Sequence, residues 1–323
     1  MQAYTPAGKP IIDAWGKPVS TAAKPEEYAR IVVRYCQLAK ERTGAPPAIV
    51  GIQNEVEQPP EVFTAMAVTL RRELDKAGFR SVKIHMADAS FMYMGVERAR
   101  TLQKDAAGWG AIDYSASHEY DWQEFLANPD MFDERLREMN KARAGKPFLA
   151  TEICINDPHY QEPSYRIAFN VAQLYQKNLV ELDSTALMYC WLLLDVEQPS
   201  FGASRSLLVP DRTHGEMPIP SSFELRVMGA FSRHIVKGMK RIDAQASNSD
   251  LLTAAFEDGA KSTLVVLNRS TNPQELNLRW PGKQWREIER TSLYSENETT
   301  MSLPPRIVVQ PGEIVTLSTF AAN

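Results

Sequence analysis

Apolar residues in the first part of the chain alternate between a helical spacing and short continuous runs. Between Pro25 and Thr43 apolar side chains recur every three or four residues, with Pro25 suited to a first helical turn and Gly44 to the stop. A short apolar run at 48–51 then precedes a second helical pattern at 62–74. The pattern predicts a helix, a strand and a second helix.

The same alternation continues to about residue 194. We predict strands at 82–86, 111–116, 148–153 and 185–194, and helices at 94–104, 132–143 and 165–179. Strand starts recur about every 30 to 38 residues, the length of one strand, one crossover helix and two loops. Five short apolar strands that alternate with helices predict a parallel sheet covered by helices.

The pattern changes after the apolar segment at 223–237. Strand-like runs separated by turns that contain Gly or Pro follow at 253–256, 262–267, 274–280, 285–293 and 307–316. We place a boundary near Met239. Residues 1–238 are therefore predicted to form an α/β domain, and residues 239–323 an all-β sandwich.

Charge and composition exclude several classes of protein. The chain of 323 residues carries 36 Lys+Arg against 40 Asp+Glu and no dense basic run, so a nucleic-acid partner is not predicted. Three cysteines without a CxxC pair do not predict a disulfide framework. The longest apolar run is about half of the 18 to 20 residues that a membrane span needs. The first residues show no secretory signal pattern.

Polar side chains close each predicted strand of the sheet, where parallel βα proteins bind their substrates. These residues include Gln53, Asn54, Glu55, His85, Asp88, Ser117, His118, Tyr120, Thr151, Glu152 and Trp191. Glycoside hydrolysis needs one carboxyl group to protonate the leaving oxygen and another to attack or stabilise the anomeric carbon. Glu55 and Glu152 close strands three apart and are the candidate pair.

Each assignment has a plainer alternative. Carboxylates at strand ends are commonly solvated, and Glu57 is predicted to be a solvated loop charge. His118 is either a site residue or a satisfied core histidine, and Trp191 either a sugar platform or a packing residue. Cys154, close to Glu152, is predicted to be a buried apolar residue rather than a nucleophile. The five histidines show no metal-ligand spacing and no phosphate loop is present, so neither a metal nor another cofactor is predicted.

Several segments resemble glycoside hydrolase family 30, a family of clan A retaining enzymes that includes glucosylceramidases, β-glucanases and xylanases. They are KPEEYARIVVRYCQLAKERTG at 24–44, IQNE at 52–55, SHEY at 117–120, KPFLATE at 146–152, FELRVMGAFSRHI at 223–235 and LVVLN at 264–268. The resemblance thus covers most of the chain. One departure is Val56, which stands where the family usually has a proline after its acid/base glutamate.

The resemblance implies a retaining β-glycosidase built as a (β/α)8 barrel followed by a β-sandwich. It implies Glu55 as acid/base and Glu152 as nucleophile, and the substrate-binding residues that it implies are Asn54, His118, Tyr120 and Trp191. A β-linked glucan, a xylan or a glycolipid headgroup is the expected substrate, and no cofactor is expected. The family resemblance also favours an extracellular or periplasmic location.

A barrel of this family needs three βα units before the strand at 48–51, and only 47 residues precede that strand. We therefore expect an N-terminally truncated barrel of about five units. The chain is then a fragment of a longer gene product, which we favour, or is completed by another chain, or is no working enzyme. The alternative function is a non-catalytic carbohydrate-binding remnant. A structural sandwich protein with an accessory α/β scaffold requires Glu55 and Glu152 to lie far apart.

Overall fold

The computed structural model describes residues 24–155, 164–193, 206–211, 213, 215, 217–220, 222–304 and 306–321. The helices are α1 (Pro25–Thr43), α2 (Pro60–Lys76), α3 (Met92–Gln103), α4 (Ala106–Ala111), α5 (Trp122–Ala127), α6 (Phe132–Ala142), α7 (Tyr165–Glu181) and α8 (Phe223–Ser232).

The strands divide between a βα part and a later all-β part. Those of the βα part are β1 (Ile49–Gly51), β2 (Lys83–His85), β3 (Ser115–Glu119), β4 (Phe148–Ile153), β5 (Ser184–Tyr189), β6 (Leu208–Asp211) and β7 (Met217–Pro220). Those that follow α8 are β8 (Lys240–Ile242), β9 (Leu251–Glu257), β10 (Ser262–Asn268), β11 (Gln274–Leu276), β12 (Glu287–Thr291), β13 (Glu298–Thr300), β14 (Ile307–Val309) and β15 (Ile314–Ser318).

The described residues form two compact units. The first contains residues 24–121 and 130–152, with α1 to α4, α6, β1 to β3 and nearly all of β4. The second contains residues 122–129 and the described residues from 153 onward, with α5, α7, α8 and the strands from β5 on. None of the described helices is long and apolar enough to cross a membrane. The boundary near Met239 stays a prediction.

The first unit is a βα array, as the hydrophobic pattern predicts. Strand β1 pairs in parallel with β2, a single parallel bridge joins His85 to Tyr114 just before β3, and β3 neighbours β4. Helix α1 has its predicted bounds, because Gly44 adopts a φ of 85° and its N–H closes the last turn onto the Lys40 carbonyl. The strand predicted at 148–153 also has its observed bounds in β4.

The strand predicted at 111–116 is wrong. Ala111 ends helix α4, and β3 begins only at Ser115. The side chain of Asp105 accepts a hydrogen bond from the Gly108 N–H at 2.8 Å and caps this short helix. A short apolar run is compatible with either a strand or a buried helix, and here the cap decides for the helix. The six-residue helix α5 was not predicted.

Other predicted strands are too long: the one at 274–280 ends at Leu276 in β11, and the one at 285–293 is Glu287–Thr291 in β12. The two largest differences are at 307–316 and 185–194. The run at 307–316 is split by a turn in which Gly312 adopts a φ of 71°, so that β14 pairs with β11 while β15 lies between β10 and β12. Because the two strands belong to different sheets, no single strand can cover the run. The run at 185–194 gives β5, which ends at Tyr189, and residue 194 lies outside the described residues.

The all-β part of the second unit is a sandwich. Its larger sheet has six strands in the order β13-β12-β15-β10-β9-β8, and all of their pairings are antiparallel. The antiparallel pair β11 and β14 forms a second sheet. The core consists of buried aliphatic side chains, namely Ala255, Leu264, Val266, Ile288, Ile307, Val309, Val315 and Leu317. The change from βα units to strands after α8 follows the predicted change in pattern.

Candidate active site

The first unit brings the two candidate glutamates together. Glu55 follows β1, His118 lies on β3 and Glu152 lies on β4. One carboxylate oxygen of each glutamate and one ring nitrogen of His118 all lie within 4.8 Å of one another. The accessory-scaffold interpretation requires the glutamates to be far apart and is therefore wrong.

His118 lies beneath the two carboxylates. Its side chain is 1% exposed, and its Nδ1 lies 2.7 Å from Glu55 Oε1 and 3.5 Å from Glu152 Oε2. Its Nε2 is buried and has no hydrogen-bond partner among the described residues. A buried N–H without an acceptor is costly, so the geometry favours the tautomer with its proton on Nδ1, donated to Glu55. His118 is thus buried and lies beside both carboxylates, and its role toward a substrate stays a prediction.

Tyr120 holds the second carboxylate. Its hydroxyl donates to Glu152 Oε2 at 2.5 Å, and its ring meets the His118 ring edge to face at 5.8 Å between centroids. A short O–H···O contact of this kind is strongest when the acceptor is an ionised carboxylate. The hydrogen bond therefore fixes the orientation of the Glu152 carboxyl group.

The separation of the carboxylates limits the chemistry that they can perform. Retaining glycosidases place their two carboxyl groups about 5 to 5.5 Å apart, whereas inverting enzymes need about 6.5 to 9.5 Å to admit a water. The oxygens of Glu55 and Glu152, within 4.8 Å of each other, match the shorter spacing. The side chains of Glu55 and Glu152 are 34% and 29% exposed, so a substrate can reach both.

Asp88 connects the two strand ends that carry the glutamates. This residue is buried, and its Oδ1 accepts a hydrogen bond from the Thr151 hydroxyl, next to Glu152, at 2.6 Å. Its backbone N–H donates to the Gln53 carbonyl at 2.8 Å, and its carbonyl accepts from the Glu55 N–H at 3.1 Å. Asp88 therefore fixes the spacing between the turn after β1 and the end of β4.

The structure says less about two of the predicted substrate-binding residues, Asn54 and Trp191. Asn54 is exposed and forms an isolated parallel bridge with Asp88. Trp191 is half-buried after β5 and belongs to the second unit. Their roles toward a sugar stay predictions. Cys154 is 1% exposed, which confirms that it is buried.

Sequence reasoning missed Arg98. This residue is 8% exposed on α3, and its guanidinium forms an ion pair with the carboxylate of Glu57. Glu57 is a solvated loop charge as predicted, with its side chain 68% exposed, and the ion pair to Arg98 was not predicted. The available signal was the place of Arg98 in the apolar stripe of α3, between Gly95 and Leu102, because a charge in a buried stripe requires a partner.

Two clusters among the described residues have enough close donor atoms for a metal ion. One is the Glu55, His118 and Glu152 group itself, and the other is His234, Glu287 and Glu289 in the second unit. In the latter, Glu289 accepts a hydrogen bond from Asn297 at 2.7 Å and lies 3.2 Å from the guanidinium of Arg233, so protein groups already balance its charge. His159 and His214 lie outside the described residues. The absence of a metal stays a prediction.

No protein-family model matches the sequence, and no curated protein matches it. Solved structures do match. A GH30 endoxylanase from Clostridium papyrosolvens C71 shares 14% identity at a TM-score of 0.72 over 96% of this chain and 75% of that chain. A conserved exported protein from Bacteroides fragilis shares 15% identity at a TM-score of 0.76, over 91% and 69%. The catalytic domain of GH30 xylanase C from Talaromyces cellulolyticus shares 17% identity at a TM-score of 0.68, over 95% and 70%.

At such low identity the similarity concerns the fold. The matched structures span βα units and sandwich alike, because each match covers more than nine-tenths of this chain. The resemblance read from the sequence is therefore confirmed at the level of architecture: this chain has the fold of glycoside hydrolase family 30 structures.

Proposed function

We propose that this protein is a retaining glycosidase that cleaves β-glycosidic bonds by double displacement. The observation that carries the proposal is the pair of carboxylates, Glu55 and Glu152, with oxygens within 4.8 Å of each other and with donors from His118 and Tyr120. This arrangement supplies the two carboxyl groups of the reaction at the spacing that retention requires. The fold shared with GH30 xylanases supports it.

In the first step, Glu152 attacks the anomeric carbon while Glu55 donates its proton to the departing oxygen. A bond forms between Glu152 and the sugar, and the glycosidic C–O bond breaks. In the second step, Glu55 removes a proton from water, which attacks the same carbon and releases Glu152. The hydrogen bond from Tyr120 keeps the Glu152 carboxyl group oriented before the attack.

We assign substrate contacts to Asn54, for the 2-hydroxyl of the sugar, and to Trp191, whose indole offers an apolar face to the sugar ring. A β-linked glucan, a xylan or a glycolipid headgroup is the proposed substrate class. The exported neighbour from Bacteroides fragilis supports an extracellular or periplasmic location.

We further propose that residues 1–238 form a (β/α)8 barrel-type domain, to which the βα units described above belong, and that residues 239–323 are the sandwich domain. Two features of the first unit support this. Strand β1 pairs only with β2 among the described strands, and α1 exposes Ile31 at 59% and Tyr35 at 58%. The same features favour the second candidate function, a carbohydrate-binding remnant without a closed active site.

The test compares wild type with Glu152→Gln and Glu55→Gln on aryl β-glycosides. Glu152→Gln is expected to reduce hydrolysis to background with every leaving group, because it removes the nucleophile. Glu55→Gln is expected to lose about 10² to 10⁴-fold on substrates with poor leaving groups, which need the general acid. With a dinitrophenyl glycoside, whose leaving group needs no proton, azide is expected to accelerate its turnover, because azide attacks the glycosyl-enzyme without a general base and yields a glycosyl azide. Proton NMR of the first product is expected to show the β-anomer.

Glu61→Gln is the matched control, because Glu61 is an exposed carboxylate close to Glu55 in the sequence. It is expected to keep wild-type activity, and addition of EDTA is expected to leave wild-type turnover unchanged. Inversion of the anomeric centre contradicts the proposal. Sugar binding without turnover by wild type establishes the remnant instead.

A further inference from the structure

The turn that carries Glu55 has an unfavourable backbone conformation. Glu55 adopts a φ of 51°, in the left-handed region that costs a residue with a side chain about 1 kcal/mol or more. Such a conformation persists only where its surroundings hold it. One restraint is the hydrogen bond from the Glu55 N–H to the Asp88 carbonyl at 3.1 Å. Together with the hydrogen bond from the Asp88 N–H to the Gln53 carbonyl, it holds the chain up to Glu55 but not the residues that follow.

Arg98 reaches the same turn from α3 and holds the residues that follow Glu55. Its Nη1 donates to the Asp88 carbonyl, the same oxygen that accepts from Glu55. Its Nη2 donates to the Val56 carbonyl at 3.2 Å and to the carboxylate of Glu57. The guanidinium thus contacts the carbonyl that accepts from the Glu55 N–H and the two residues that follow Glu55.

The guanidinium is itself fixed in place. Its central carbon lies 4.9 Å from the centroid of the Phe63 ring, and the side chain is 7% exposed. Glu57, at the surface, balances the buried charge. Only arginine has a rigid planar fork that donates to several acceptors at once, and a lysine ammonium on a flexible stem does not reproduce it.

We propose that Arg98 is a positioning residue that fixes the left-handed turn at Glu55 and so sets the distance from the Glu55 carboxyl group to His118 and Glu152. The inference rests on the proposed function, in which Glu55 is the acid/base. Reacting groups that shift by about 1 Å lose about 10²-fold in rate. Loss of Arg98 therefore impairs proton transfer by Glu55 and leaves the nucleophile Glu152 in place.

The experiment compares Arg98→Met, Arg98→Lys and Arg100→Met on aryl β-glycosides with good and poor leaving groups. Arg100 is exposed on the same helix and serves as the matched control. Arg98→Met is expected to lose about 10 to 100-fold in kcat/KM on substrates with poor leaving groups. On a dinitrophenyl glycoside the loss is expected to be less than about threefold, because dinitrophenolate departs without a proton. Arg98→Lys is expected to show the same losses as Arg98→Met, and azide is expected to accelerate turnover by both variants.

A merely structural role of Arg98 reduces the rates on both substrates by the same factor, and that result overturns the proposal. If Arg98→Met does not fold by circular dichroism, Glu57→Gln takes its place, because it removes an exposed partner of the guanidinium and keeps the buried contacts. The same dependence on the leaving group, with a smaller loss, is then expected. An equal loss on both substrates again overturns the proposal.

A second readout does not need turnover. The ¹⁵N resonance of His118 Nδ1 reports its contact with Glu55, which is 2.7 Å away. It is expected to shift in Arg98→Met, in the direction seen in Glu55→Gln, and to stay unchanged in Arg100→Met. If wild type hydrolyses no glycoside, the proposed function fails. The change in the His118 resonance still tests whether Arg98 positions Glu55. An unchanged His118 resonance in folded Arg98→Met overturns the proposal.

Discussion

At the scale of single residues, buried polar groups connect the supporting elements to the candidate site. Tyr28 on α1 donates its hydroxyl to the Gly51 carbonyl, at the end of β1, at 2.8 Å. Burial, and secondly the negative charge of Asp88, raise the pKa of Tyr28 to about 12 from an ordinary value of 10.0. The tyrosinate form is therefore strongly disfavoured in the folded protein.

The raised pKa predicts a loss of stability in alkaline solution. The folded pKa lies above the unfolded one, so the contribution of Tyr28 is complete below pH 10 and is lost as the pH rises toward 12. The loss amounts to about 3 kcal/mol at most. Urea unfolding between pH 8 and 12 measures it.

Tyr28→Phe is the corresponding variant. It is expected to cost about 1 kcal/mol at pH 8, because the Gly51 carbonyl loses its donor, and to flatten the decline above pH 10. An equally steep alkaline decline in Tyr28→Phe contradicts the assignment of that decline to Tyr28.

At the scale of elements, the close approach of α3 to β3 sets the position of the strand that carries His118. Gly95 on α3 faces β3, and a Cβ atom there would lie 2.6 Å from Ser117 Oγ and 2.8 Å from Ser117 Cβ. Ser117 is buried and precedes His118 directly. A glycine is required here for the packing distance between helix and strand.

Gly95→Ala is therefore expected to destabilise the protein by about 1 to 3 kcal/mol, although alanine is the better helix former. Gly110→Ala in α4 is the control, because a Cβ at Gly110 meets nothing within 4 Å. It is expected to stabilise the protein by about 0.4 to 1 kcal/mol. Chemical denaturation of both variants measures the difference. A stabilising Gly95→Ala would show that β3 is free to shift.

At the scale of the whole molecule, both units leave large apolar side chains exposed. In the second unit, α7 and α8 pack against the sandwich. The Tyr165 hydroxyl on α7, for example, donates to the carbonyls of Thr291 and Gly312 at 3.1 and 2.8 Å. In the first unit, Ile31 and Tyr35 lie one helical turn apart on α1 and are more than half exposed. Neighbouring exposed apolar residues of this kind mark a surface that binds another protein surface.

The chain by itself is therefore expected to self-associate through α1. The double variant Ile31→Ser, Tyr35→Ser is expected to shift the protein toward the monomer in light scattering, with an unchanged unfolding midpoint. Tyr294→Ser is the control, because Tyr294 is 90% exposed on the sandwich. A wild-type chain that is monomeric at high concentration contradicts this expectation.

The sequence by itself determined the order of the longer helices and of most strands, since hydrophobic spacing, Pro25 at a helix start and Gly44 at its end are local properties. It also determined which polar residues close the strands, because the strand ends follow directly from the apolar runs. It did not determine whether the segment around Ala111 ends a helix or begins a strand, because a side-chain cap outweighs a short apolar run.

Only the tertiary structure decided which of those polar residues meet. Glu55, His118 and Glu152 are separated by 63 and 34 residues, and no local rule fixes the distance between their side chains. The burial of Arg98 and its contacts around the Glu55 turn likewise depend on how α3 packs against the end of β1. Strand pairing and helix packing set these distances, because they act between segments that are remote in the chain.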